Sequence, residues 1–181
     1  METERKNDFT KGPIGRVILR MAVPMMVAQL VNVMYSIVDR MYIGHIPDTG
    51  SLALTGIGLT MPIISIITAF ANLCGMGGAP LCSIARGRGD NDYAEKIMAN
   101  AYTMLLILGV VITAGLSFFL RPVLYLFGAS DGTYPYAEAY ARVYVLGTVF
   151  VMMSLGMNSF INSQGFARTG MLTVMLGAAV N

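Results

Sequence analysis

The feature that most constrains the fold of this chain is a succession of long apolar stretches. They cover residues 17–43, 52–84, 97–120 and 136–160, and a further one runs from 171 to the end of the chain. Each complete stretch reaches the roughly 20 residues that a helix needs to cross the hydrocarbon core of a bilayer. Segments of about ten residues that alternate apolar and polar, as in a membrane β-barrel, are absent. The sequence therefore predicts an all-α, polytopic membrane helix bundle with four complete spans and the start of a fifth.

The composition supports a membrane protein and argues against an enzyme. Hydrophobic residues make up 55% and charged residues 12% of the 181 residues, and that charged fraction is about half of what a soluble domain carries. His45 is the only histidine, and no HExxH, GxSxG or phosphate-binding glycine loop occurs. We expect a protein that is not an enzyme, uses no cofactor, binds no nucleic acid and has the lipid bilayer as its main partner.

The basic residues predict the orientation in the membrane, because Lys and Arg near the ends of spans favour the cytoplasmic side. They are concentrated before the first span, between the second and third spans and before the fifth: Arg5, Lys6, Lys11, Arg16, Arg20, Arg86, Arg88, Lys96 and Arg168. We therefore interpret residues 1–16 as a cytoplasmic N-terminal segment. Residues 17–181 are interpreted as a partial transmembrane region truncated inside its fifth helix, so that a missing C-terminal part of the same chain would complete it.

Asp39 is the first candidate site residue, because an ionisable side chain within a membrane helix costs at least about 2.5 kcal/mol at the bilayer centre. Gln29, Asn32, Ser36 and Asp39 fall within an arc of about 80° on one helix. The alternative is that Asp39 extends to the external surface beside Arg40.

Polar residues of two other spans are candidates for lining a water-filled cavity. Ser65, Thr68 and Asn72 share one face of the second span, and Asn158 lies in the fourth. Each of these side chains could instead serve as a hydrogen-bond partner between packed helices. Only the set as a whole favours a cavity.

Several sequence motifs resemble those of the multidrug and toxic compound extrusion (MATE) family. They are Ala22-Val23-Pro24, Val38-Asp39 with Tyr42-Ile43-Gly44, Gly75-Met76-Gly77-Gly78-Ala79, and the run from Ser83 to Asp90. Residues 177–181 are similar to the point at which the fifth helix of the family continues into Asp-Pro. The resemblance spans nearly the whole chain.

This resemblance implies a fold of two six-helix lobes, of which the chain supplies most of the N-terminal lobe. It implies secondary active export of small organic cations across a bacterial inner membrane, by antiport with protons or sodium ions. Asp39 and Asn181 would form a cation-responsive cluster that could hold a sodium ion, and Pro24 would act as a hinge.

The sequence leaves three other functions open. A flippase of lipid-linked oligosaccharides from the same superfamily would tend to carry several basic residues within the membrane, and only Arg40 qualifies. A non-transporting membrane scaffold would use its polar stripes for packing alone. A membrane-embedded enzyme would need paired carboxylates or a metal cluster, which the visible spans lack.

Overall fold

The computed structural model describes residues 13–180, which form six α-helices and no strand. The helices are α1 (Ile14–Gly44), α2 (Gly50–Gly87), α3 (Asn91–Leu126), α4 (Tyr134–Leu146), α5 (Thr148–Ser163) and α6 (Ala167–Val180). Of these, α1, α2 and α3 are each long and apolar enough to cross a membrane, and α4 with α5 qualifies as one broken span. The predicted all-α, multi-pass membrane fold is confirmed.

The chain divides into two compact units. One contains the described residues up to Ile37 together with those from Ile161 onward, and the other comprises Val38–Phe160. The first unit therefore holds most of α1, the end of α5 and α6. The second holds the last turns of α1, all of α2, α3 and α4, and most of α5.

The apolar core of the second unit is built from four helices. Its fully buried side chains come from α2, α3 and α5 and are Ile63, Ile67, Leu105, Leu124 and Met152, and α4 adds Ala137, Ala141 and Val145. In water, burial of an aliphatic side chain of this size would contribute about 1.5–3 kcal/mol relative to its exposure. Within a bilayer this contribution is lost, because lipid tails are as apolar as leucine, and close packing of the helices stabilises the core instead.

Glycines on α2 allow the neighbouring helices to approach closely. A Cβ atom added at Gly56 would lie 2.8 Å from the backbone nitrogen of Ala137 on α4, and one added at Gly75 would lie 2.8 Å from the carbonyl oxygen of Gly156 on α5. Contacts of this kind occur where small residues let membrane helices meet backbone to backbone. They fix α2 against both halves of the broken span.

At the connection between α2 and α3, a glycine ends the first helix and an aspartate caps the start of the second. Gly89 has a φ of +82°, its N–H donates to the carbonyl of Arg86, and the N–H of Asp90 donates to the carbonyl of Ala85. This is the Schellman arrangement, which favours glycine because the left-handed conformation crowds a Cβ. The carboxylate of Asp90 then accepts the N–H of Tyr93 at 3.0 Å and caps α3.

The fourth apolar stretch differs from the single straight span that the sequence predicts. It forms α4 and α5, which meet at Gly147 with a bend of 58°. Hydropathy alone does not reveal such a break, because the stretch stays apolar on both sides of it.

Candidate functional site

Asp39 lies in the second unit, on the last turns of α1. Among residues 38–43, Asp39 and Ile43 are half-buried, whereas Val38, Arg40 and the two residues that follow it are exposed. Residues four apart share a helix face, so Asp39 belongs to the side of α1 that packs within its unit. The Asp39 carboxylate makes no hydrogen bond or ion pair with any residue between 13 and 180.

Arg40 does not neutralise Asp39. Its guanidinium points to α2, where Nη2 lies 3.7 Å from the sulfur of Met61, and consecutive residues do not face each other on a helix. The geometry therefore does not favour the alternative in which Asp39 serves only as a surface partner of Arg40. Asp39 is therefore a half-buried acid on an apolar helix whose carboxylate has no partner among residues 13–180.

The polar stripe of α2 lies on the side away from the apolar core. Ser65 is exposed and both Thr68 and Asn72 are half-buried, and at about 100° per residue they occupy an arc of about 60°. The buried row of the same helix, which includes Ile63 and Ile67, lies on the opposite side. Within the second unit, α2 therefore turns these polar side chains away from the buried row of Ile63 and Ile67, and the end of the stripe at Asn72 lies one turn before Gly75, which contacts α5.

The hydrogen bonds of this stripe do not join it to the core helices. The hydroxyl of Thr68 donates to the carbonyl of Ile64, one turn back on α2, at 2.8 Å. The side chains of Ser65 and Asn72 have no hydrogen-bond partner in the described part of the chain. The stripe thus does not act as packing glue within the second unit, and its polar groups can interact with water or a ligand.

The other stripe residues of α1 lie in the first unit. Gln29 and Asn32 are exposed, and Ser36 is half-buried with its hydroxyl donating to the carbonyl of Asn32 at 2.9 Å. Pro24 lies inside α1, which continues through it as one helix. A proline at this position removes one backbone hydrogen bond, which is compatible with a hinge.

Two further predicted residues complete the set. Asn158 is half-buried on α5, two residues beyond the Gly75–Gly156 contact of the second unit, and its side chain takes part in interactions of its own. Asn181, the predicted partner of Asp39, lies outside the described residues.

A charged aromatic cluster at the connection between α3 and α4 was not anticipated from the sequence. The rings of Tyr125 and Tyr134 stack with centroids 5.3 Å apart, and the guanidinium carbon of Arg121 lies 5.9 Å and 5.7 Å from the two centroids. The Tyr125 hydroxyl donates to the carboxylate of Asp131 at 2.8 Å. The cluster joins the two helices by satisfied contacts, which assigns it a structural role.

The chain has a clear relationship to known membrane proteins. The family model MatE matches residues 24–181. The multidrug export protein MepA of Staphylococcus saprophyticus is 28% identical over the whole chain, which spans 40% of that protein.

Solved structures agree with this relationship. A crystal structure of MATE in complex with MaD5 superimposes with a TM-score of 0.87 at 25% identity, covering 98% of this chain and 40% of the other. A crystal structure of MATE in the straight conformation gives a TM-score of 0.86 at 25% identity, with 98% and 39% covered. The chain thus spans about 40% of the length of the proteins that it matches.

Proposed function

The chain belongs to the MatE family, and from that premise we propose that the complete protein is a secondary active transporter that exports organic cations in exchange for protons or sodium ions. The family relationship confirms the predicted family, and it supports the prediction that the complete protein is a membrane transporter and not an enzyme. The observation that carries the proposal further is Asp39, a half-buried acid on an apolar span whose carboxylate has no hydrogen-bond or ion-pair partner among residues 13–180.

The placement of the polar side chains supports a substrate path beside α2. Ser65, Thr68 and Asn72 turn away from the core of their unit, although exposing polar groups to lipid gains nothing. A water-filled cavity completed by the missing part of the protein would give these side chains a polar environment. An export substrate with both apolar and cationic parts suits a wall that combines such groups with the exposed apolar side chains of α2, among them Ile66 and Phe70.

The proposed coupling runs through Asp39. Its carboxylate can hold a proton or contribute an oxygen to a sodium ion, which prefers oxygen ligands, and uptake of either neutralises a charge within the membrane. Asp39 supplies one such ligand, and we propose Asn181 as a second. Gln29, Asn32, Ser36 and Asn158 are the other candidates for lining the cavity.

Coupling requires that the ion favour one conformation over another, because a ligand shifts an equilibrium only by its differential affinity. Neutralising Asp39 removes the cost of an isolated charge and so favours the state in which α1 is more deeply packed. Pro24, which interrupts the hydrogen bonds of α1, is the proposed point of bending. Alternating access would follow if the ion and the organic cation favour opposite states.

The proposed orientation places the N-terminus and residues 1–16 in the cytoplasm of a bacterium, with residues 17–181 in the inner membrane. The alternation of helices puts the α2–α3 connection on the side opposite to the α1–α2 connection. Arg88 and Lys96 are exposed at or next to the α2–α3 connection, in keeping with the excess of positive charge on cytoplasmic sides.

The test is transport by the complete protein in vesicles. Purified protein is reconstituted with a fluorescent organic cation such as ethidium, and its movement is followed under an imposed pH gradient and, separately, an imposed sodium gradient. Gradient-driven movement that depends on the protein supports the proposal and identifies the coupling ion. No movement under either gradient, combined with transbilayer movement of a fluorescent lipid-linked sugar, would instead favour the flippase.

A further inference from the structure

The break between α4 and α5 lies close to ordinary helical geometry. Gly147 has φ −80° and ψ −5°, which differs from an α-helix by about 17° in φ and about 37° in ψ. Both conformations lie in the same allowed region of backbone space. A rotation of this size at Gly147 therefore converts the bent pair into a continuous helix while the backbone of Gly147 stays within its allowed region.

Hydroxyl groups bind the carbonyls next to the break. The hydroxyl of Thr148 donates to the carbonyl of Tyr144 at 3.3 Å, and the hydroxyl of Thr113 on α3 donates to the carbonyl of Val145 at 3.4 Å. In a continuous helix these carbonyls would accept the N–H groups four residues further on. The bond of Thr148 is of the kind that Thr68 and Thr103 make inside unbroken helices, whereas Thr113 reaches the break from another helix, and a side chain that inserts into the backbone ladder is a recognised cause of helix kinks.

The face of α3 opposite the break is shaped to hold the bent form. A Cβ added at Gly109 would lie 3.2 Å from the Cα of Val149, so a larger residue at this position would push α5 away by a few tenths of an ångström. Thr113 lies one turn further along α3, on the same face, and reaches Val145 just before the break. Gly109 and Thr113 therefore contact both sides of Gly147.

The two arms of the broken span are held on α2 at separate glycines, Gly56 for α4 and Gly75 for α5. Pro62 lies inside α2 between these two contacts and removes one of its backbone hydrogen bonds. A change in the angle at Gly147 can thus be followed by α2, without separating either contact.

From this arrangement we propose that the α4–α5 span is a two-state hinge at Gly147, with Thr113 as the residue that holds the bent state. In the bent state the carbonyl of Val145 accepts the hydroxyl of Thr113; in a straight helix it would accept the backbone N–H of Val149. The carbonyl of Val145 therefore has a donor in either state, so straightening does not leave it unsatisfied. The hinge goes beyond the proposed function, since it lies on helices that carry no candidate coupling acid.

The experiment measures the position of α4 directly by double electron–electron resonance on the complete protein in vesicles. A spin label replaces Ala139, which is exposed on α4, and a second replaces in turn the exposed residues Met98 on α3 and Leu81 on α2. The buried cysteines Cys74 and Cys82 are first replaced by alanine. Ala139 lies about 12 Å before Gly147, so straightening of the bend moves it by about 12 Å.

We expect two distance populations in the otherwise native protein and a shift of about threefold towards the straight population in Thr113→Val, the typical effect of one hydrogen bond between membrane helices. Thr113→Ser restores the original ratio. Thr103→Val is the matched control, because Thr103 is on the same helix but its hydroxyl bonds only to Ala99 of that helix.

A single distance population that none of the substitutions changes would overturn the hinge, and so would an equal shift in Thr113→Val and Thr103→Val. If a variant fails to fold, the otherwise native protein still tests the hinge, because the hinge requires two distance populations in it. This distance measurement requires no transport. If the protein shows both distance populations but does not transport ethidium, the proposed function is contradicted and the hinge is not.

Discussion

Replacement of Gly75 by alanine tests whether the backbone contact between α2 and α5 holds the second unit together. The added Cβ would lie 2.8 Å from the carbonyl oxygen of Gly156, 3.0 Å from its Cα and 3.0 Å from the hydroxyl of Ser159. Two of these three atoms are backbone and cannot rotate away, so the helices must separate. Overpacking of this kind costs about 1–3 kcal/mol.

The matched control is Gly77→Ala, two residues further along the same helix. A Cβ at Gly77 meets no atom within 4 Å, so this substitution adds only the intrinsic helix preference of alanine, up to about 1 kcal/mol. Both variants gain that preference. The difference between them therefore isolates the cost of overpacking.

Unfolding of the complete protein by SDS in mixed micelles provides the measurement. We expect the free energy of unfolding of Gly75→Ala to be about 1–3 kcal/mol below that of Gly77→Ala. If the two variants are equally stable, the close approach of α2 and α5 does not contribute to stability, and the packing described for the second unit is wrong.

Two smaller predictions concern the connections and the surface. Gly89→Ala places a Cβ at a φ of +82° and should lower the free energy of unfolding by about 1–2 kcal/mol in the same SDS titration; no loss would contradict the left-handed helix end. Glu138→Gln removes the ion pair in which Nη2 of Arg142 lies 2.6 Å from Oε1, but the arginine side chain is 68% exposed, so we expect a loss of no more than about 0.5 kcal/mol. A loss above 2 kcal/mol, roughly the range of a buried pair, would show that this pair is shielded from solvent.

The sequence predicts the spans well because each depends on an uninterrupted apolar run. The Glu138–Arg142 ion pair is equally local, since residues four apart on a helix are neighbours. These features depend on residues that are close in the chain.

The features that the sequence does not reveal depend on contacts between distant residues. The bend at Gly147 involves the hydroxyl of Thr113, which is 32 residues away from its acceptor Val145. Likewise, α2 is polar on one side in the sequence, but only the packing of the other helices shows that this side faces away from the core. The roles of Asp39, Asn181, Pro24 and the cavity candidates remain predictions.

The most direct test of the account is transport by Asp39→Asn in the complete protein, compared with Asp48→Asn. Asp48 is exposed in the short connection after α1 with a φ of +64°, a conformation that asparagine adopts readily, so the control makes the same chemical change outside the span. Efflux of ethidium from vesicles is measured across external pH and sodium concentration at matched protein levels. The account predicts that Asp39→Asn loses gradient-driven efflux while Asp48→Asn retains it. Efflux by Asp39→Asn with an unchanged dependence on pH and sodium would contradict it.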